Sequence, residues 1–247
     1  MTSSLSFDPI ADRYDATRGG ERRGRFVAEV LRPWLPDDGV TCEIGVGTAL
    51  VAKAVAAGGT AVVGIDISAA MLRVAAGRFR GPLLRADATA LPFADGGVAA
   101  VYGVWVFHLV DDPSAVLASC HRVLRPGGRV LAVVSDESRR IGHPLVEELE
   151  RRYRRRSDIL EHLDPLATAV GLRRRHVESL TPFRRPTTPV ELADHIEQRT
   201  WSWLWGVPDE VWAADVQPVI AALRAGPEAH QPRPHQNANL LAVWERS

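Results

Sequence analysis

Thr41-Cys42-Glu43-Ile44-Gly45-Val46-Gly47-Thr48-Ala49-Leu50, followed about 20 residues on by Val62-Val63-Gly64-Ile65-Asp66, decides the fold. The first stretch reads as a buried strand running into a glycine turn that opens a helix. The second reads as another buried strand, ending in a carboxylate. Doubly wound sheets build nucleoside sites this way: glycines let the backbone approach the ligand, and the second-strand acid takes the ribose hydroxyls. Leu50 stands where a dinucleotide fingerprint has its third glycine, and Glu43 sets a negative charge beside the turn, which disfavours a pyrophosphate there. A phosphate-free, cationic adenosine derivative suits the pattern better, and S-adenosylmethionine has that chemistry.

With 247 residues the chain can form one large α/β domain with a substantial core. It reads as a single domain over 1–247, with a cofactor-binding core over 7–135 and substrate-side elements over 136–247. Zero formal net charge and 46% hydrophobic residues describe an ordinary globular composition, without the basic excess that advertises nucleic acid. The first residues show no basic start followed by an apolar run, and no apolar run reaches the roughly 20 residues that span a bilayer. A cytoplasmic enzyme with no membrane partner is expected. Cys42 and Cys120, the two cysteines, read as buried thiols on a strand and a helix, so neither a disulfide nor a metal site is expected.

Apolar periodicity predicts helices over 7–17 and 21–35, a strand over 40–44, a helix over 48–57 and a strand over 61–65. Ser68 caps a helix reaching 79; strands follow over 83–86 and 99–106, and Pro113 opens a helix to 124. Arg125-Pro126-Gly127-Gly128 reads as a turn before a strand over 129–134. Beyond it the pattern predicts helix over 144–170, a strand over 172–183, helices over 189–199 and 209–224, a loop over 229–238 and a last strand over 240–244. The expectation is an α/β, doubly wound, Rossmann-like and mostly parallel seven-stranded sheet, with an antiparallel last strand and a helical insertion or cap in the C-terminal half.

Five motifs carry a family resemblance: Glu43-Ile44-Gly45-Val46-Gly47-Thr48; Gly64-Ile65-Asp66-Ile67-Ser68 with Met71-Leu72; Arg85-Ala86-Asp87-Ala88 with Leu91-Pro92-Phe93; Val104-Trp105-Val106-Phe107-His108-Leu109-Val110-Asp111-Asp112; and Arg122-Val123-Leu124-Arg125-Pro126-Gly127-Gly128. In order and spacing the chain resembles class I S-adenosylmethionine-dependent methyltransferases of the small-molecule type, related to ubiquinone/menaquinone-biosynthesis and polyketide-tailoring enzymes. The resemblance implies S-adenosylmethionine as cofactor, Asp66 on the ribose hydroxyls, and Asp87 with the Ala88 backbone at the adenine amino group. It gives Ile67 and Met71 an apolar wall for adenine, and Gly45, Gly47 and Thr48 the turn under methionine and ribose. Glu43 favours the cationic end, and Val104 completes the cofactor set. Tyr14 and Arg18 resemble an N-terminal lid reaching the methionine carboxylate. Plainer roles stay open: Asp66 as a helix cap, Asp87 as a turn former, Glu43 as an acceptor for loop N–H groups. Two positions depart from the family pattern: Ala49 replaces a frequent third glycine, and the fourth strand opens Val98-Ala99-Ala100-Val101 without its usual aspartate.

Methyl transfer from a sulfonium is an in-line displacement, so the protein mainly aligns the reactants and excludes water. A general base helps when the acceptor is a phenol, an alcohol or a protonated amine. His108, just past the fourth strand, is the candidate catalytic base, with packing or cofactor contact as its alternative. Trp201 and Trp205, with His143, are candidates for binding a small-molecule acceptor, against the alternative of filling a helical core. The run Arg151-Arg152-Tyr153-Arg154-Arg155-Arg156 sits among Glu147, Glu148, Glu150, Asp158 and Glu161, which argues for a solvated, self-neutralised helix over nucleic-acid binding. Two competing functions stay open: an NAD-dependent oxidoreductase sharing the two opening strands, and an RNA-binding or RNA-modifying methyltransferase using the arginines.

Overall fold

The computed structural model describes residues 20–154, 159–180, 186–236 and 238–247. The helix expected over 7–17, with Tyr14 and Arg18, lies outside them, as do Arg155, Arg156 and Asp158. The chain divides into two units, one of Met1–Val134, Ser157–Glu178 and Leu240–Ser247, the other of Ser135–Arg156 and Ser179–Asn239.

Apolar, β-branched runs form strands β1 (Val40–Ile44), β2 (Ala61–Asp66), β3 (Leu83–Arg85), β4 (Val98–Val104), β5 (Leu124–Ser135), β6 (Leu172–Leu180) and β7 (Asn239–Arg246). They make one seven-stranded sheet in the order β3-β2-β1-β4-β5-β7-β6. The pairs β3–β2, β2–β1, β1–β4 and β4–β5 are parallel, and the last strands are antiparallel, as expected. Strand order reverses between β1 and β4, which opens a crevice at their carboxyl ends.

The helices are α1 (Gly20–Leu31), α2 (Leu50–Ala56), α3 (Ala69–Ala76), α4 (Pro113–Val123), α5 (Pro144–Tyr153), α6 (Leu160–Ala169), α7 (Pro189–Glu197), α8 (Asp209–Val211) and α9 (Gln217–Ala225). Side chains along β1 alternate between the two faces of the sheet. Cys42 and Ile44 enter a core with Ile65, Val101, Leu117 and Leu163. Thr41 and Glu43 face the other way, and both are buried. Cys42 and Cys120 are free, buried thiols, and burial pushes the Cys120 thiol up to about 12. Among the described residues no helix is long and apolar enough to cross a membrane.

The second unit is mostly helical. Val146 and Leu149 of α5, Leu192, Ala193 and Ile196 of α7, and Ile220 and Leu223 of α9 share one apolar cluster, with Trp201, Trp203 and Trp212 packed against it. α7 opens on a capping box in which Thr188 and Glu191 satisfy each other's backbone N–H.

Several boundaries differ from expectation for local reasons. The helix expected to 35 stops at Leu31 and tightens into one 3-10 turn, Arg32–Trp34, because Pro33 lacks the N–H that would continue it. The helix expected over 144–170 is two: Arg154 has ψ 130° and Ile159 ψ 146°, both extended. The turn at 125–128 is a bulge inside β5, where pairing jumps from Val98↔Leu124 to Ala100↔Arg129. Helix 209–224 contains a π turn, Trp212–Val216, just before Pro218, whose ring excludes the carbonyl of Ala214.

Candidate functional site

Four adjacent parallel strands deliver the predicted residues to one edge. β1 ends at the glycine turn, β2 at Asp66, β3 just before Asp87, and β4 just before Trp105 to His108. Gly45 has φ +63° and Gly47 φ +53°, conformations that exclude most side chains. A Cβ on Gly45 would lie 2.5 Å from Val106 Cγ2, and one on Gly103 would lie 2.7 Å from Val106 Cγ1. Val106 therefore fills the space of two missing side chains and closes the floor of the turn. Gly47 is different: among the described residues a Cβ there meets nothing nearer than the Gly45 carbonyl oxygen at 4.0 Å. Its surface is an open cradle. Ala49 takes the left-handed conformation at φ 61° that the absent glycine would have taken, and it is fully buried.

Asp66 pins this turn. Its Oδ2 accepts the Gly47 N–H at 2.8 Å, and its Oδ1 accepts the Ser68 N–H at 2.9 Å. A carboxylate has further lone pairs, so these two hydrogen bonds do not exhaust its acceptor capacity. Ser68, not Asp66, caps α3 through Met71 N at 3.1 Å. Ile67 is 48% exposed, comparable with Ile141 at 45%. Met71 is buried in a small cluster with Ala70 and Val74. Asp87 is exposed, and its Oδ1 accepts from Thr89 N at 2.9 Å and Thr89 Oγ1 at 2.8 Å, capping the 3-10 turn Ala88–Ala90. Thr48 is buried, Val104 half-buried, and His108 half-buried in the 3-10 turn Phe107–Leu109.

Glu43 lies deeper than the sequence suggested. It is 3% exposed, accepts the Tyr102 hydroxyl at 2.9 Å, and receives the backbone N–H of Ala52. Burial first, then the charge of Asp66, push its carboxyl up to about 8, against the opposing pull of those two hydrogen bonds. Without a ligand this residue is largely neutral at pH 7, so it does not add a standing negative charge to the turn. Tyr102 was not singled out in the sequence; it pairs with Glu43 in the β1–β4 register, while Gly64 pairs on the other side, where Val46 and Leu83 fill the space of its missing side chain. Two further neighbours escaped sequence reading. Arg23 of α1 lies 3.4 Å over the Trp105 ring, and α1 approaches the start of α2 so closely that a Cβ on Gly24 would lie 2.7 Å from Leu50 O.

The second unit holds the remaining candidates. Trp201 stacks on Trp203 at 5.7 Å and 10°, and Trp205 donates to the Arg199 carbonyl at 2.6 Å. Arg199 covers Trp212 at 4.0 Å. His143 caps α5, Nδ1 accepting Leu145 N at 3.3 Å, and burial lowers its pKa. Arg151 and Arg152 pair with Glu148, Arg152 also with Asp215, and Arg140 and Arg154 with the buried Glu150.

The residues fit an adenosine-bearing cation: an open glycine cradle, two acids at strand ends and an exposed Ile67. The comparisons agree. A family model described as a methyltransferase domain matches residues 42–132. The demethylmenaquinone methyltransferase of Streptomyces avermitilis is 32% identical over 79% of this chain and 84% of its own length. The ubiquinone/menaquinone biosynthesis C-methyltransferase of Desulfotalea psychrophila is 36% identical over 57% of this chain, which spans 61% of that relative's length. Among solved structures, geranyl diphosphate C-methyltransferase from Streptomyces coelicolor, bound to Mg2+, geranyl-S-thiolodiphosphate and S-adenosyl-L-homocysteine, aligns at TM-score 0.57 and 16% identity over 90% of this chain and 75% of its own. At that identity the likeness concerns the fold.

Proposed function

The chain belongs to the class I S-adenosylmethionine-dependent methyltransferases, of the ubiquinone/menaquinone-biosynthesis type, and on that premise we propose that it methylates a small-molecule acceptor. The observation that carries the reading is the strand-end constellation of the Gly47 cradle, Asp66 and Asp87. Bound there, S-adenosylmethionine supplies a methyl group on a sulfonium, already activated for displacement. The chain's own part is to bind and align. Asp66 takes the ribose hydroxyls while holding the turn; Asp87 and the Ala88 backbone meet the adenine amino group, with Ile67 and Met71 as its wall. Gly45, Gly47, Thr48 and Val104 shape the methionine side.

His108, past β4 on the same edge, accepts the acceptor's proton where one must leave. Trp201, Trp205 and His143 serve the acceptor side. Relatives named for demethylmenaquinone make a hydroquinone the first acceptor to try. A dinucleotide suits the turn less well, because Leu50 and the acids offer pyrophosphate neither a close backbone nor a cation.

The test is calorimetry with S-adenosylhomocysteine and with NAD, followed by transfer of labelled methyl from S-adenosylmethionine to hydroquinone and amine acceptors. Binding of the homocysteine nucleoside and labelling of the hydroquinone are expected; NAD binding alone would overturn the reading.

A further inference from the structure

Beside the cofactor turn lies a pair of acids that binding alone does not explain. Glu43 and Tyr102 are register partners on β1 and β4, 3% and 0% exposed, joined by a 2.9 Å hydrogen bond. Three elements around the carboxyl contribute a group: the Tyr102 hydroxyl from β4, the Ala52 N–H from α2 and the Asp66 carboxylate from β2, while the Cys42 thiol of β1 faces the other side of the sheet. Among the described residues none of the groups acting on Glu43 is a cation. A carboxylate buried with only acids and neutral dipoles around it has nothing to compensate its charge, so it holds its proton. A cation arriving at the glycine turn supplies the missing charge.

We propose that Glu43 is a proton-linked counter-ion: the cationic methionine end of S-adenosylmethionine binds with release of one proton from the Glu43 carboxyl to solvent, and Tyr102 is the positioning residue that holds the carboxylate so formed. The inference rests on the cofactor assignment above. Charge balances, since one positive ligand enters and one proton leaves. The carboxyl is therefore neutral before the cation binds and one half of a buried ion pair afterwards.

The sign of the linkage is fixed. Burial holds the carboxyl of the empty site up at about 8. Affinity therefore rises with pH below that value, at most about tenfold per pH unit, and levels off above it. The experiment is calorimetric titration with S-adenosylmethionine at pH 6.5 in two buffers of different ionisation enthalpy, where the ligand's own amino group, with an ordinary pKa of about 7.7–8.0, stays protonated. Wild type is expected to release close to one proton. Glu43→Gln is expected to bind with almost no proton release and with an affinity that no longer climbs between pH 6 and 8. Tyr102→Phe removes a donor to the ionised form, so the pH at which affinity levels off is expected to move up by about one unit; a merely structural tyrosine would leave it in place. S-adenosylhomocysteine lacks the sulfonium but keeps the ammonium. Proton release with both ligands assigns the ammonium as Glu43's partner, and release with S-adenosylmethionine alone assigns the sulfonium. Binding without proton release, or equal release from Glu43→Gln, overturns the linkage alone. Failure of both proteins to bind at any pH overturns the cofactor assignment and the linkage with it.

Discussion

Gly45 and Gly47 share a left-handed backbone but differ in what surrounds them, and that difference is measurable. Gly47→Ala should cost about 1–2 kcal/mol, the penalty of placing a side chain at positive φ. Gly45→Ala adds a collision with Val106 and should cost a further ~1–3 kcal/mol, which Val106→Ala in the same chain should partly relieve. Urea denaturation of the three variants checks this, and equal losses at the two glycines would contradict it. Glu43 predicts a second effect. Its carboxyl is near 8 when folded, against an ordinary value of 4.5, so the folded state binds more protons than the unfolded across that window. Stability should therefore fall as pH rises from about 5 to 8, by at most ~1.4 kcal/mol per unit, and level off beyond. Glu43→Gln should flatten that slope. The glycines and Asp66 were legible in the sequence because turn and strand-end chemistry is local. Tyr102 was not: within Val98-Ala99-Ala100-Val101-Tyr102 it reads as core filling, and only the β1–β4 register shows that its hydroxyl meets Glu43.

Among elements, β1 and β2 were read almost to the residue, since they are buried runs bounded by glycine or charge, whereas β4 stops two residues short of the expected end and β5 begins five residues early, taking the expected turn in as a bulge. What failed was length where a proline or an extended residue intervenes: Pro33, Arg154, Pro218. Their neighbours stay apolar-periodic, so the pattern continues while the hydrogen bonds do not. β6 is a sheet edge, and its run Arg173-Arg174-Arg175 is exposed, with His176 half-buried beside it. Arg174 pairs with Asp164 at 2.8 Å and Arg175 with Glu245, while His176 stacks on Trp34 at 4.3 Å. Those exposed pairs contribute little stability, but a charged edge resists pairing with another sheet. Replacing Arg173 and Arg175 by valine should leave thermal stability within about 1 kcal/mol while promoting association. Size-exclusion chromatography across protein concentrations would show it, and a concentration-independent monomer-sized peak would refute it. At the start of α7, Thr188→Ala breaks the capping box and should cost about 1 kcal/mol.

At the scale of the whole molecule, each unit has its own core. Ile196 is fully buried, and its cluster draws Val146 and Leu149 from one stretch of chain and Leu192, Ile220 and Leu223 from another. Ile196→Ala should therefore cost about 2–4 kcal/mol, followed in urea by the fluorescence of Trp201, Trp203 and Trp212; a loss under 1 kcal/mol would mean the cluster collapses around the gap. The sheet was legible as a whole because alternating strands and helices dictate it. A helical cap with tryptophans filling it was among the readings, but its assembly from two stretches was not legible, because they lie apart in the chain, before and after β6, and no periodicity announces that they meet. Ser135–Arg156 and Ser179–Asn239 build one body from two insertions. A chimaera that exchanges this body with another enzyme's would have to graft both insertions together, since exchanging either alone joins two half-cores that never evolved to match.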